Sequence, residues 1–381
     1  MSARTARTAR RPILVVVGTR PEAIKMAPVV FALRESATLR PVLVATGQHR
    51  TMLDQALAAF GLRPDEDLAV MEPSQSLEDL TGRLVPRLAA LVRRTKPAAV
   101  LVQGDTTTTF TAALAAFYAG VPVGHVEAGL RTFDPRSPFP EEVNRRLTDQ
   151  LSTWLFPPTR HAAGLLRAEG FPARRIVVTG NTVVDALNWT LENSPPAWPP
   201  GLEAQLGDDP VILVTAHRRE SFGAPLKELF GAIRELVDRE PSIRVVYPVH
   251  LNPEVRRAVE ATLRGHPRIH LIEPVSYPEM VTLLTRCRIV LTDSGGLQEE
   301  APTLGKPVLV TRATTERPEG LDSGTSILVG TAPRRVIAAC RRLLRAAPPR
   351  RDRRHRNPYG DGRAARRIVA RLERDLPPDL G

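Results

Sequence analysis

The sequence predicts an α/β protein made of two doubly wound domains that face each other across a cleft. Short Val- and Leu-rich runs bounded by Gly or Pro alternate with helix-like stretches, which is the βαβ pattern of parallel sheets. A stretch rich in Pro and Gly, residues 192–210, interrupts this alternation in mid-chain. The 381 residues also exceed what one hydrophobic core usually fills, so two domains are expected.

The first half of the chain contains five candidate strands with helices between them. Each candidate is a short apolar run of the kind that lies buried in a parallel sheet. One helix, at residues 77–94, is indicated by its amphipathic spacing. The candidate strands are residues 13–17, 42–45, 99–103, 121–126 and 176–179.

The second half shows the same alternation without a clear internal sequence repeat. Its candidate strands are residues 211–215, 244–247, 269–272, 289–292 and 308–310. In chain order we therefore predict a disordered basic extension, an N-terminal domain, a linker, a C-terminal domain and a C-terminal helix that packs back on the N-terminal domain. These segments are residues 1–11, 12–191, 192–210, 211–362 and 363–381.

Composition narrows the possible classes of function. No apolar run approaches the roughly 20 residues needed to span a bilayer, so we expect a soluble protein. The formal net charge is +12, but much of the excess lies near the two ends of the chain with few aromatic residues beside it, which disfavours nucleic-acid binding. Because Cys287 and Cys340 form no CxxC pair, we expect neither a zinc site nor a disulfide framework, and a reducing cytoplasm fits best.

Three acidic residues placed just after apolar runs indicate acid/base chemistry. Asp105 and Glu127 each follow a candidate strand, and Glu141 lies just after two prolines at the start of a predicted helix. The carboxyl ends of strands line the ligand crevice in open α/β sheets, so these side chains are expected to meet substrate. A structural alternative stays open for each of them. Asp105 then caps the helix that begins near residue 108, Glu127 pairs with Arg131, and the third acid favours a helix N-terminus.

Polar loops after other strands predict anion-binding sites. In GTRPEAIKMAP, Arg20 and Lys25 lie beside a helix N-terminus, where anions bind; a capped helix with exposed bases is the alternative. In the second half, His217 and Arg218 follow a strand directly. A histidine beside arginines at a strand end is best explained by a pyrophosphate.

A glycine-rich turn in the second half completes the set of polar loops. Ser294, Gly295 and Gly296 lie between a strand and a helix, where backbone N–H groups can approach a phosphate closely. Glu299 or Glu300 on that helix can accept ribose hydroxyls. A cleft with anion sites on both walls and carboxylates on one wall suits a nucleotide-sugar.

Segments along nearly the whole chain, in order, resemble the non-hydrolysing bacterial UDP-N-acetylglucosamine 2-epimerase family. The carboxylate segments are the most discriminating, because the segment 293–302 also resembles that of many GT-B glycosyltransferases. The segments are GTRPEAIKMAP, QHRTMLDQ, GDTTTT, VGHVEAGLRT, SPFPEE, GNTVVDAL, HRRESFG, YPVHLNP, TDSGGLQEEAP, TTERPE and NPYGDG.

The resemblance implies a GT-B-like fold of two Rossmann-like domains, usually in a homodimer, that interconverts UDP-GlcNAc and UDP-ManNAc without metal, nicotinamide or other cofactor. It also implies a regulatory UDP-GlcNAc site beside the active site. The acid/base set is Asp105, Glu127 and Glu141, with His217 near the phosphates. The UDP-binding groups are Arg20, Lys25, Ser294, Gly295, Gly296 and Glu300, and the regulatory groups are Gln48, Arg218 and His250.

The chemistry of this reaction explains the residue types. The C2 proton of the sugar has no adjacent carbonyl to acidify it, so UDP must leave C1 to make that proton acidic. The expected intermediate is a 2-acetamidoglucal with UDP still bound. The reaction needs a base on one face, an acid on the other, and cations on the departing pyrophosphate. Clustered acids titrate jointly, so the face that each carboxylate serves stays open.

Departures from the family pattern keep other functions open. Phe133 stands where a small residue is expected, Ala313 where Asp is common, and Thr51 where many members place Gln near the regulatory site. One alternative is a hydrolysing relative that releases ManNAc and UDP, although the first loop resembles the non-hydrolysing branch. Another is a glycosyltransferase, which does not need the three carboxylates. The third is a catalytically weakened nucleotide-sugar binding protein.

Overall fold

The computed structural model describes residues 10–47, 50–70, 72, 75–218, 222–347 and 357–376. The chain divides into two compact units. The first unit is discontinuous, because it combines Met1–Ala186 with Tyr359–Gly381, whereas the second is the uninterrupted segment Leu187–Pro358. The chain therefore passes between the units twice.

The first unit is built on one parallel sheet with helices between its strands. Its strands are β1 (Arg11–Val17), β2 (Leu39–Ala45), β3 (Glu66–Asp67), β4 (Ala99–Gln103), β5 (Val123–Val126) and β6 (Trp154–Phe156). Its helices are α1 (Arg20–Glu35), α2 (Arg50–Ala59), α3 (Leu77–Thr95), α4 (Thr107–Tyr118), α5 (Glu141–Leu151), α6 (Arg160–Ala168) and α7 (Thr182–Asn193), whose last residues belong to the second unit.

The second unit repeats this plan. Its strands are β7 (Val211–Thr215), β8 (Arg244–Pro248), β9 (Ile269–Ile272), β10 (Ile289–Thr292), β11 (Val308–Val310) and β12 (Ser326–Leu328). Its helices are α8 (Leu202–Leu206), α9 (Ala224–Arg239), α10 (Pro253–Thr262), α11 (Tyr277–Arg286), α12 (Gly295–Glu300), α13 (Pro318–Asp322) and α14 (Pro333–Arg345). The final helix of the chain, α15 (Ala364–Asp375), returns to the first unit.

Both sheets have the same strand order. It is β3-β2-β1-β4-β5-β6 in the first unit and β9-β8-β7-β10-β11-β12 in the second, with every neighbouring pair parallel. Numbered within each unit, both orders are 3-2-1-4-5-6, which is the Rossmann order. The predicted class, two Rossmann-like doubly wound domains of the GT-B kind, is confirmed.

Each sheet buries apolar side chains beneath helices. In the first unit, Leu14 and Val100 of adjacent strands pack in one cluster with Leu84 of α3 and Ala112 of α4. Helix α3 forms because Ser76 caps its first turn and leucines recur at helical spacing on one face. The second unit packs α9 and α14 on its sheet in the same way.

Most candidate strands were located correctly from the sequence, and one was not. Residues 176–179 form no strand; Ile176 makes only a single bridge to Leu155 of β6. Strands β3, β6 and β12, of two or three residues each, were missed because so few residues carry no periodic pattern. The first strand begins at Arg11, inside the predicted extension 1–11, and Arg10 donates to the Arg34 carbonyl oxygen at 3.0 Å. Residues 1–9 lie outside the described residues.

The first passage between the units lies inside a helix rather than in the Pro-rich stretch. The division falls at Ala186 and Leu187 within α7, so residues 192–210, the predicted linker, lie within the second unit. That stretch is tied to α11, because the Ala197 amide donates to the Thr282 hydroxyl at 2.9 Å. Proline content did not distinguish this packed segment, which contains α8, from a linker.

Helix α15 packs on the first unit, next to α1. Asp185 of α7 accepts hydrogen bonds from the Ala364 and Ala365 amides at 3.2 and 2.9 Å, at the start of α15. At the far end, Trp154 donates to Asp375 at 2.7 Å. Burial raises the pKa of Asp185 to about 6, against the two backbone hydrogen bonds. The C-terminal helix is therefore held at both ends.

Two sequence-based expectations concern membranes and thiols. Among the described residues, no helix combines the length and the apolar character needed to cross a membrane. Cys287 and Cys340 are buried free thiols, and burial raises the pKa of each to about 12. Both therefore stay protonated at neutral pH.

Candidate functional site

In each sheet the first and fourth strands of the unit, counted along the chain, lie side by side, and the strand order reverses between them. Ligands of open α/β sheets bind beside this reversal, at the carboxyl ends of the strands. In the first unit the loops at this position follow β1 and β4, and they carry Arg20 and Asp105. In the second unit the corresponding loops follow β7 and β10, and they carry His217 and Ser294. Residues predicted for the site thus lie at both reversals.

Glu127 lies just past β5 and is held by two polar side chains. Its Oε2 atom is 2.5 Å from the Lys25 ammonium and accepts a hydrogen bond from the Gln103 amide at 2.7 Å. Its φ angle is 68°, in the left-handed region that a residue with a side chain rarely adopts. Strained backbone of this kind persists where the surroundings fix it, commonly at functional sites. The predicted alternative, a pair with Arg131, is wrong.

Asp105 follows β4 and does not cap the next helix. Thr106 is the N-cap of α4, and its hydroxyl accepts from the Thr109 amide at 3.1 Å. The Asp105 carboxylate instead accepts from Arg145 of α5 at 2.6 Å, and its backbone oxygen accepts from the Asn144 side chain at 3.0 Å. Helix α5 therefore orients a carboxylate that remains partly accessible.

Two adjacent glutamates begin α5, and they differ in environment. Glu141, the predicted site residue, is the first residue of the helix and is half-buried. Glu142 is fully buried and accepts from the backbone amides of Thr132 and Phe133 at 3.0 and 3.2 Å. Glu142 therefore fixes the loop between β5 and α5, a role that the sequence did not reveal because the two acids are equivalent in the pattern.

Phe133 lies in that loop with an unusual backbone. Its φ angle is 63°, which only glycine adopts readily, and its side chain is 61% exposed. The left-handed backbone explains why a small residue is expected here. The exposure shows that the ring faces outward in this loop.

A buried charge network lies behind the carboxylates. Asp149 of α5 accepts from His125 Nδ1 at 2.6 Å and from Arg131 at 2.7 Å, and all three side chains are fully buried. Arg131 also pairs with Glu169 at 2.8 Å. Burial would raise the pKa of Asp149, but His125 and Arg131 lower it below its ordinary value. His125 Nε2 is 2.7 Å from the carbonyl oxygen of Gly104, so the network reaches the residue before Asp105.

The backbone amides of the loop after β1 are capped by a side chain of the following helix, α1. Glu22 Oε2 accepts from the amides of Gly18 and Thr19, each at 2.7 Å. Lys25 is 7% exposed and turns toward Glu127, whereas Arg20 is the first residue of α1 and is half-buried. The alternative, a capped helix with exposed basic residues, is thus correct for the helix N-terminus. It is wrong for Lys25, which is buried. The UDP-binding roles of Arg20 and Lys25 stay predictions.

A histidine and an aspartate meet at the reversal of the second sheet. Asp293 is fully buried and accepts from the His217 and Arg218 amides at 2.6 and 2.8 Å, while His217 Nδ1 is 3.2 Å from its other oxygen. Burial raises the pKa of Asp293, but His217 and these amides lower it overall. The His217 ring stacks on His250, with centroids 5.2 Å apart. Burial, and then the charge of His217, lower the pKa of His250.

The glycine turn after β10 has an arginine packed against it. Ser294 is the N-cap of α12 and Gly295 is its first residue. A Cβ atom on Gly295 would lie 2.4 Å from the Arg317 guanidinium carbon, so a larger residue here would require the Arg317 side chain to move. Arg317 donates to Glu299 at 2.8 Å, and Glu300 accepts from the Tyr277 hydroxyl. Glu299, one of the two acids predicted to bind ribose, thus pairs with Arg317 instead. Arg317 was not predicted as a site residue, although it lies in the segment TTERPE.

The predicted regulatory residues are only partly described. Gln48 lies outside the described residues, as does the side chain of Thr51. His250 stacks on His217, and the Arg218 amide binds Asp293 beside the same ring. Ala313 lines a separate cleft of the second unit with Glu228 and other residues. The regulatory role stays a prediction.

The two Rossmann-like units define a GT-B-like α/β protein. The first unit has carboxylates after its strands, and the second has a glycine turn, a histidine and an arginine at its sheet reversal. The chain belongs to the UDP-N-acetylglucosamine 2-epimerase family, whose model matches residues 31–373. This membership confirms the family predicted from the sequence segments.

Individual relatives are similar along almost their whole length. The chain is 48% identical to the UDP-N-acetylglucosamine 2-epimerase of Yersinia pestis over 371 residues, covering 95% of this chain and 98% of the relative. It is also 48% identical to that of Bacillus subtilis (strain 168), over 94% of each chain. The crystal structure of UDP-GlcNAc 2-epimerase from Neisseria meningitidis bound to UDP-GlcNAc matches with a TM-score of 0.87 and 45% identity, covering 95% of this chain and 100% of that one.

Proposed function

We propose that this protein is a UDP-N-acetylglucosamine 2-epimerase that interconverts UDP-GlcNAc and UDP-ManNAc without releasing free sugar. Family membership and 48% identity to relatives that are named UDP-N-acetylglucosamine 2-epimerases support the epimerase activity. The observation that carries the acid/base chemistry is the environment of Glu127. A carboxylate on strained backbone, held between an ammonium and an amide at a strand end, has the features of a positioned catalytic group.

The reaction proceeds by elimination and re-addition. A base removes the C2 proton, the C2–H electron pair forms the C1=C2 bond, and the C1–O bond breaks with its pair leaving on UDP. An acid then delivers a proton to C2 from the opposite face, and a UDP phosphate oxygen bonds again to C1. Atoms and charge balance without an external oxidant or reductant, so the reaction requires no nicotinamide.

The residues of each unit have distinct roles in this proposal. Asp105, Glu127 and Glu141 of the first unit carry out the proton transfers. The Lys25 ammonium lies 2.5 Å from Glu127 and the Arg145 guanidinium 2.6 Å from Asp105, so a positive group orients each of these carboxylates.

The second unit binds UDP in this proposal. Amides of the turn Ser294 to Gly296 contact phosphate, Glu300 accepts ribose hydroxyls, and His217 stabilises the leaving diphosphate with Asp293 behind it. Arg20 and Lys25 are assigned as further charges for the substrate. Stabilising the leaving group supplies a large share of the rate, because positioned acid/base catalysis is typically worth about 10²–10⁴-fold.

Proton NMR of the protein with UDP-GlcNAc in D₂O tests the reaction. We expect UDP-ManNAc to appear with deuterium at C2 and with little free UDP. Free ManNAc and UDP in equal amounts would identify the hydrolysing alternative instead. If folded protein that binds UDP produces neither, and C2 keeps its proton, the epimerase proposal is wrong.

We also propose a homodimer. The packed pair α4 and α5 exposes large apolar side chains, Phe117, Tyr118, Val143 and Leu147, and contiguous exposed apolar groups commonly mark an interface. Light scattering during gel filtration is expected to give twice the chain mass of 41.8 kDa, and Leu147→Glu is expected to shift it toward one chain. A single-chain mass for the wild type at micromolar concentration would contradict this.

We propose a cytoplasmic location, since UDP-sugars are made and used there and both cysteines are free thiols. Fractionation of the native host, followed by detection of the protein, tests this. Recovery with the membrane or the secreted fraction would contradict it.

A further inference from the structure

Glu22 is a buried carboxylate that joins two loops of the first unit. It is 2% exposed, and its Oε2 accepts from the Gly18 amide, the Thr19 amide and the Thr19 hydroxyl at 2.7, 2.7 and 3.0 Å. Its Oε1 accepts from the Thr106 and Thr109 hydroxyls at 2.5 and 3.0 Å. One oxygen thus binds the loop after β1, and the other binds the start of α4 after β4.

The position of this carboxylate is the place where this fold class usually holds a phosphate. At the reversal of a Rossmann sheet, amides of the first loop and the helix N-terminus face a bound anion. Here the Gly18 and Thr19 amides already face Glu22. These two amides are therefore occupied by a side chain of the protein itself, and burial raises the pKa of Glu22 against the hydrogen bonds that it accepts.

The two loops also pack too closely to shift independently. A Cβ atom on Gly18 would lie 2.3 Å from the Thr108 hydroxyl and 2.6 Å from the Thr46 hydroxyl, which are themselves 3.0 Å apart. Only a residue without a side chain allows this contact between the loop after β1 and helix α4. The Glu22 hydrogen bonds thus act on two loops that are already in van der Waals contact.

We propose that Glu22 is a positioning residue for the acid/base reaction, because it fixes Asp105 relative to the helix that carries Lys25 and hence Glu127. Asp105 immediately precedes Thr106, which Glu22 binds, and Lys25 lies one turn along α1 from Glu22. Glu22 acts through these neighbours and is not itself assigned contact with substrate. The inference rests on the proposed function, since it takes Asp105 and Glu127 as the reacting groups.

The main test replaces Glu22 by glutamine. Glu22→Gln keeps the shape but turns an amide NH₂ toward donors of one loop, so one set of hydrogen bonds is lost. A displacement of about 1 Å can cost about 10²-fold in rate, so we expect kcat to fall by about 10–100-fold with KM within about threefold of wild type. The dissociation constant for UDP, measured by calorimetry, is expected to rise by no more than about threefold, because the turn proposed to hold the diphosphate lies in the second unit. Asp79→Asn, which removes a charge from the exposed first turn of α3, is the matched control and should keep full activity.

A second pair of variants keeps the test decisive if Glu22→Gln does not fold. Thr109→Val removes a hydroxyl that lies 3.0 Å from Glu22 Oε1 and 2.7 Å from the Gln103 carbonyl oxygen, without changing volume much, whereas Thr109→Ser retains both contacts. We expect kcat to fall by about 3–10-fold for valine and to stay near wild type for serine. Equal kcat values for this pair, or a wild-type kcat in folded Glu22→Gln, would overturn the inference. Absence of turnover in the wild type would instead overturn the proposed function.

Discussion

Replacing Asp149 by asparagine should destabilise the first unit more than the loss of a surface ion pair does. The Asp149 carboxylate lies 2.6 Å from His125 Nδ1 and 2.7 Å from Arg131, and none of the three side chains is exposed. Asparagine removes the negative charge and leaves the Arg131 guanidinium and the His125 ring buried with less compensation. Removing one partner of a buried pair typically costs about 3–5 kcal/mol. For a domain of this size, that cost lowers Tm by about 6–20 °C.

The assay must report on the first unit alone. Of the three tryptophans, only Trp154 lies in this unit, so a background with Trp189 and Trp198 changed to phenylalanine isolates its fluorescence. Glu66→Gln is the control, because Glu66 pairs with Arg94 at 2.6 Å on the surface. That control is expected to change the free energy of unfolding by less than about 1 kcal/mol.

The pH dependence gives an independent check on Asp149. Burial raises the pKa of this group, but His125 and Arg131 lower it below the value in the unfolded chain, about 3.9. The stabilisation is therefore fully present above that value and is lost as the pH falls through the lower folded-state pKa. The wild-type and Asp149→Asn curves should converge in acid. A difference below about 1 kcal/mol at neutral pH would refute the reasoning.

Three further predictions concern the site. Phe133→Gly should raise Tm, because a left-handed backbone at a non-glycine residue costs about 1 kcal/mol. An unchanged or lower Tm would contradict this strain. If turnover also fails to rise, the main support for a catalytically weakened protein is removed. Gly295→Ala should displace Arg317 and weaken UDP binding at least about tenfold by calorimetry, and an unchanged affinity would show that this turn does not hold the diphosphate. Dialysis against EDTA should leave epimerisation unchanged, since the proposed chemistry uses only side chains; a loss restored by a divalent metal would contradict that mechanism.

The sequence predicted the strand ends that carry the site because those strands are continuous apolar runs. Asp105 and Glu127 were located from such runs, and the structure has them just after β4 and β5. Residues 176–179 look similar in sequence, yet the neighbouring strand β6 has only three residues to pair with. Strand formation depends on a partner, which a local pattern does not contain.

The partners of the acids could not be predicted from the sequence. Lys25 is 102 residues from Glu127, and Thr106 is 84 residues from Glu22. Such pairs form only when the fold brings distant loops together, so spacing along the chain carries no trace of them. The local alternative, Glu127 with Arg131, was wrong for this reason: Arg131 binds Asp149 and Glu169.

The discontinuity of the first unit has a consequence for biosynthesis. The second unit, Leu187–Pro358, is complete on the ribosome before α15 has been made, although the first unit began earlier. The hydrogen-bond partners of Asp185 and Trp154 in α15 are therefore absent until the whole second unit has been synthesised. A chain ended after Pro358 should lose trypsin resistance in its first unit and keep it in its second; equal resistance in both would contradict this order. Translation thus completes the unit that carries the proposed acid/base groups after the unit that is proposed to bind UDP.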